Sequence, residues 1–165
     1  MCGLALAFAP APVAEASGAN LSGDYDDQGE ILSGDVSMVG GVVSLHALFA
    51  LEFDPGRAQL LHAQTTRVRL GQSPDIVEIT AYDADGQATP LGRWRRGGGY
   101  VPRGASLQLS TRGPDATYVF TLEPARDGAM LRLTVRREKK SVFGPGFEDI
   151  GAFVFARRMA TPSGK

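Results

Sequence analysis

The 165-residue chain has a single cysteine, Cys2, so it cannot close a disulfide on itself. Its stability must come from an apolar core rather than from covalent staples. It has only two histidines, His46 and His62, with no cysteine near either. A zinc site is therefore not expected, and both read as packing or surface residues. No Gly-x-Ser-x-Gly elbow, phosphate loop or dinucleotide fingerprint occurs, which removes the enzyme classes that sequence alone can reveal. No apolar run approaches the roughly 20 residues of a membrane-spanning helix.

Lysine and arginine are missing from residues 1–56, which hold eight acids; all seventeen bases and the other ten acids lie in 57–165. The two parts carry −8 and +7, against a net charge of −1 for the whole. That near balance argues against a partner as strongly anionic as nucleic acid. The split fits acidic and basic strands lying side by side and neutralising each other. The alternative is an acidic face for a cation and a basic face for an anion.

What is present is apolar material, 43% of the chain, enough for one domain with its own core over residues 20–160. Residues 1–19 stand apart, and 161–165 read as a tail. Cys2 to Ala9 is a short apolar run, followed by Ala-Pro-Ala-Pro and by Ala14-Glu15-Ala16 before Ser17, a small-x-small pattern like a secretory cleavage site. This segment is expected to be the remnant of a signal peptide, placing the mature domain in the periplasm, the outer envelope or the medium. Lipidation at Cys2 is the competing export reading, and a disordered tail rich in Ala and Pro is the plainest one.

From residue 59 onward, short runs alternate apolar and polar between closely spaced turn signals. Ile76 to Tyr82 puts Val77, Ile79 and Ala81 on one face; Leu131, Leu133 and Val135 alternate with Arg132 and Thr134. Asp54-Pro55-Gly56, Asp83-Ala84-Asp85-Gly86, Gly113-Pro114-Asp115 and Asp127-Gly128 mark turns. Gly144-Pro145-Gly146 reads as a loop between strands, with Phe143 and Phe147 beside it. Val43 to Phe53 alternates as a strand would, although Ala-Leu-Phe-Ala-Leu-Glu-Phe is also a good helix sequence. Leu21 to Asp35 is polar and rich in turn formers. Eight to ten strands without a long amphipathic helix predict an all-β domain. The form expected is one up-and-down antiparallel barrel, with a sandwich as the alternative.

In the order of its elements the chain resembles the lipocalins and related calycin-type barrels. Gly23-Asp24-Tyr25 stands where that family has Gly-x-Trp on the first strand, and Arg157 or Arg158 stands where an arginine near the last strand covers the closed end. Tyrosine replaces the tryptophan, and the family's Thr-Asp-Tyr turn and the helix after the eighth strand are absent. The resemblance implies a small hydrophobic molecule bound in the barrel mouth; separately, no cofactor is expected.

Four groups of residues are candidates for a site. Phe143, Phe147, Trp94 and Tyr100 supply aromatic surface for a mouth or flap. Arg93, Arg95 and Arg96 flank Trp94 and could meet an anion, although a strand end with Trp94 inward and the arginines in solvent reads as naturally. The twelve residues from Asp24 to Asp35 resemble a calcium loop, with Asp24, Asp26, Gln28 and Asp35 at ligand places and Gly29 at the sixth. A solvated acidic hairpin is the plainer account. Finally, Arg136 to Lys140 is a basic strand end able to meet an anionic lipid surface. The expected function is thus an exported, non-enzymatic binder of an apolar molecule. The alternatives are an envelope protein docking a partner or anionic surface peripherally through basic strand ends, and a hydrolase built from scattered carboxylates.

Overall fold

The computed structural model describes residues 19–34, 43–51, 64–114, 116–141 and 144–159. Ten strands and one short helix follow one another as β1 (Gly23–Gly34), β2 (Val43–Ser44), α1 (Leu45–Ala50), β3 (Thr65–Gln72), β4 (Ile76–Asp83), β5 (Ala88–Arg95), β6 (Tyr100–Arg103), β7 (Ser106–Arg112), β8 (Thr117–Ala125), β9 (Met130–Ser141) and β10 (Gly144–Arg157). The domain is all-β and its strands form one antiparallel sheet, in the order β5-β4-β3-β1-β10-β9-β8-β7-β6, with β2 beside β1.

The sheet is not a closed barrel, because the ladder stops between β5 and β6. Counting reversals shows why. Three antiparallel steps lead from β1 to β5 and five lead from β1 the other way to β6, so β5 and β6 run in the same direction. A single parallel bridge, Arg96 to Tyr100, joins them. Between lie Gly97 and Gly99, at φ 75° and 123°, backbone conformations that side chains resist and glycine accepts. β5 and β6 are in effect one bent stave. With it the path has eight staves, each next to its sequence neighbour, and the last strand pairs with the first. Trp94 stitches the bend: its indole N–H donates to the Ser110 carbonyl at 3.1 Å and lies 3.0 Å from Thr111 Oγ1, both on β7.

Alternation explains most of the strands. Val77, Ile79 and Ala81 on β4, Leu107 and Leu109 on β7, and Leu131, Leu133 and Val135 on β9 all enter one core cluster or line it, while Glu78 and Arg132 stay outside.

Three expectations need correction. Beyond Ser44 the segment expected to be a strand turns into α1, whose Leu45, His46, Leu48, Phe49 and Ala50 are all buried. A segment buried at five of its six residues shows neither helical nor strand periodicity cleanly, so its helical propensity decides. The polar stretch from Asp24 to Asp35 is neither a calcium loop nor an acidic hairpin as far as Gly34: it is the twelve-residue β1, because its acids find arginine partners on β3 and just after β10. Gly144-Pro145-Gly146 is not a loop: it opens β10, with Gly144 opposite Ser141, Pro145 opposite Lys140 and Gly146 opposite Lys139.

The first-to-last pairing depends on glycine. A Cβ at Gly29 would sit 2.5 Å from the Phe155 ring and 2.5 Å from the Val154 carbonyl oxygen, and backbone cannot step aside cheaply. Gly29→Ala should cost about 1–3 kcal/mol, as overpacking does. Gly71→Ala, where the nearest atom is 3.9 Å away, should be near neutral. Urea midpoints of the two variants check this; equal midpoints would mean that β1 and β10 do not close so tightly.

Candidate functional site

The aromatic candidates separate. Trp94 (6% exposed) and Tyr100 (3%) belong to the core cluster, and Phe49 of α1 packs on Trp94 at 6.2 Å and on Phe120 at 5.1 Å between ring centroids. Neither Trp94 nor Tyr100 forms an open mouth. Phe147, by contrast, is 60% exposed. Phe143 lies outside the described residues.

Of the arginines beside Trp94, Arg93 pairs with Glu78 at 3.0 Å across β4 and β5, and Arg95 and Arg96 are exposed. An exposed pair of this kind contributes little. The arrangement is the plain strand end, with the tryptophan inward and its basic neighbours in water.

The calcium-loop reading meets a strand instead. Asp24, Asp26 and Gln28 share one face of β1 but are spaced along it, whereas a cation needs its ligands gathered by a turn. Asp24 accepts from Arg69 Nε and Nη2, each at 2.9 Å, and from Arg67 Nη1 at 2.8 Å. The Arg69 hydrogen bonds foremost hold its carboxyl below the usual carboxylate range, against the opposing effect of burial. Asp26 takes Arg158 Nε at 2.5 Å, and Asp35 lies outside the described residues, as does Cys2. Among the described residues no group of three or more His, Cys, Asp and Glu is gathered for a metal. The acidic first strand is therefore neutralised by arginines of β3 and of the segment after β10, as the charge split anticipates.

A buried pair escaped the sequence reading. Asp27 (3% exposed) on β1 accepts the His46 backbone N–H at 2.9 Å through Oδ1 and lies 2.7 Å from His46 Nδ1 through Oδ2. Helix α1 begins after Ser44, whose own side chain makes no cap. Asp27 supplies that cap from 19 residues away, satisfying an amide of the first turn and orienting the imidazole. A carboxylate that orients a histidine is also two thirds of a hydrolytic relay. Here its evident work is to clamp α1 onto β1.

The remaining candidate surface is the far end of the β9–β10 hairpin. The β8 ladder ends at Thr117 opposite Glu138, and the β1 ladder ends at Gly34 opposite Gly151. Before Gly151 the β10 edge has no β1 beside it, and from Lys139 opposite Gly146 outward no third strand among the described residues flanks the pair, so Phe147 and its neighbours lie where the hairpin leaves the sheet as an arm. On one face Arg136 lies 5.8 Å over the Phe147 ring and pairs with Asp149 at 2.7 Å. On the other, Glu148 receives Arg137 at 2.5 Å and Lys139 at 2.9 Å. The Lys139 and Arg137 hydrogen bonds hold the Glu148 carboxyl below its ordinary range. At the arm's base a groove of about 550 Å³ runs past Thr121, Arg132, Thr134 and Arg136. Among the described residues no helix is long and apolar enough to cross a membrane.

No protein-family profile, curated protein or solved structure matches the chain.

Proposed function

We propose that the protein is a non-enzymatic interaction module of the cell envelope that docks peripherally on an anionic lipid surface through its β9–β10 arm. The observation that carries this reading is Phe147, a large apolar ring 60% exposed on a strand pair with Arg136 on its own face and Arg137 and Lys139 on the other. An apolar ring between cations suits the boundary between headgroups and acyl chains, where the ring gains burial and the cations meet lipid charge. The acids Glu148 and Asp149 temper the charge, so attachment is weak and reversible. The envelope location rests on the apolar run and the small-x-small pattern of residues 1–19, read as an export signal.

Binding of an apolar molecule inside a lipocalin-like barrel is the second reading. It draws support from the eight-stave path with first-to-last pairing. It is disfavoured by Phe49, which packs against Trp94 and Phe120 where a ligand would be sought.

Co-sedimentation with vesicles tests the docking reading. Vesicles containing phosphatidylglycerol should retain the protein, neutral phosphatidylcholine vesicles should not, and about 1 M salt should release it by screening. Phe147→Ser removes about 1.5 kcal/mol of ring burial, roughly tenfold in affinity. Melting of that variant should barely change, since the ring is outside the core. Equal retention by neutral vesicles, or retention indifferent to Phe147→Ser, would refute the reading.

A further inference from the structure

At one end of the sheet, β1, β3, the β8–β9 turn and the end of β10 enclose a cleft of about 710 Å³, lined by Gly23, Asp24, Arg67, Asp127, Arg157 and Arg158 among others. Main-chain hydrogen bonds fix its walls: Arg157 N–H donates to Ala129 at 2.9 Å, and Arg158 N–H to Asp24 at 2.8 Å. The arginines here are not equivalent. Arg67 is held by Asp24 and lies 3.9 Å over the Tyr82 ring. Arg158 is held by Asp26 and by the Thr66 carbonyl.

Arg157 has no carboxylate partner among the described residues; its guanidinium donates only to the Ser22 carbonyl. It is half-buried and lies against the Cα of Gly23, where a Cβ would come 2.9 Å from its Nε. Gly23 thus leaves room for the guanidinium. A guanidinium partly withdrawn from water, using few of its five donors and set in the wall of a cleft, lacks a counter-charge. Its planar fork suits two oxygens of a carboxylate or phosphate.

We propose that this cleft is a binding site for a small oxyanion, a phosphate- or carboxylate-bearing molecule, with Arg157 as its principal ligand, since Arg67 and Arg158 are already held by Asp24 and Asp26. The volume falls in the range of small-molecule sites and admits more than the anionic group itself. Asp127 at the rim disfavours a ligand bearing further negative charge there, so the anionic group enters at the Arg157 side. The site is separate from the β9–β10 arm and shares no residue with it.

Calorimetric titration with inorganic phosphate, and separately with acetate, tests the inference. The protein should bind at least one of the two saturably; which one it binds tells a phosphate site from a carboxylate site. Arg157→Gln should weaken that binding at least tenfold, and Arg93→Gln, far along the sheet on β5, should leave it unchanged. Gly23→Ala should also weaken it, by displacing the guanidinium without removing the charge. If Arg157→Gln fails to fold, Arg157→Lys retains the charge without the planar fork and should fold and bind several-fold more weakly. The proposal is overturned if neither anion binds saturably, or if a folded Arg157 variant binds like the parent.

Discussion

Phe120→Ala should destabilise the domain by about 3–5 kcal/mol, the range for removing a large buried aromatic side chain. Phe120 is fully buried on β8, opposite Leu109 on β7 and Val135 on β9. Its ring tilts against Phe49 of α1, which in turn reaches Trp94 on β5. The three rings make a chain across the interior, from the continuous part of the sheet through the helix to the bent stave. Removing the middle of β8 therefore leaves a cavity and also loosens the support of α1. The contact between the rings adds about 0.5–1.5 kcal/mol beyond area burial, so Phe49→Ala and Phe120→Ala together should cost less than the sum of the two. Trp94 is the only tryptophan, and its buried fluorescence reports urea unfolding directly. A loss below about 1 kcal/mol for Phe120→Ala would mean that α1 does not pack on this part of the sheet.

How much was legible in the sequence depended on where each residue's partners stand. β4 and β9 could be read because one face is wet and the other dry, so period two survives in the chain. α1 could not, since five of its six residues are buried and Phe49 fits either period. β1 was marked only at Gly23-Asp24-Tyr25, by the lipocalin resemblance, and the rest of it was hidden for a different reason. Its polar residues look like loop, yet Asp24 and Asp26 are satisfied by arginines 43 to 132 residues away, and no local pattern records such partners. Gly144-Pro145-Gly146 has turn composition but only two residues separate the paired Ser141 and Gly144, which leaves the glycines inside the ladder. The arm's basic residues were visible as a strand end; that Phe147 stays in solvent was visible only as a hint, an apolar residue beside a turn signal. The resemblance marked Arg157 and Arg158 singly, but the cleft as a whole was not legible, because four separate segments build it.

The Asp27–His46 pair did leave a signal. If Gly23-Asp24-Tyr25 opens a strand with Tyr25 inward, Asp27 must point inward too, and a carboxylate there needs a donor in the core. His46 is the first histidine in the chain and the one that meets it. Asp27→Ala should cost about 3–5 kcal/mol, because it takes the Asp27 carboxylate away from both a buried imidazole and an amide in the first turn of α1. Asp27→Asn keeps an oxygen for the His46 N–H and can offer its amide to Nδ1 in the other tautomer, so the expected loss is smaller, about 1–2 kcal/mol. His46→Ala leaves Asp27 buried with only the backbone contact and should fall near the alanine variant. A double-mutant cycle over the two positions should then return a coupling of at least 1.5 kcal/mol. A structural clamp also predicts where the damage goes: α1 should detach first, exposing Trp94, whose emission shifts to the red, and apolar surface that binds a hydrophobic dye, while the β7–β10 ladders persist. If Asp27→Ala melts with the parent, the pair does not hold the helix, and its geometry would have to be explained by chemistry at His46 instead.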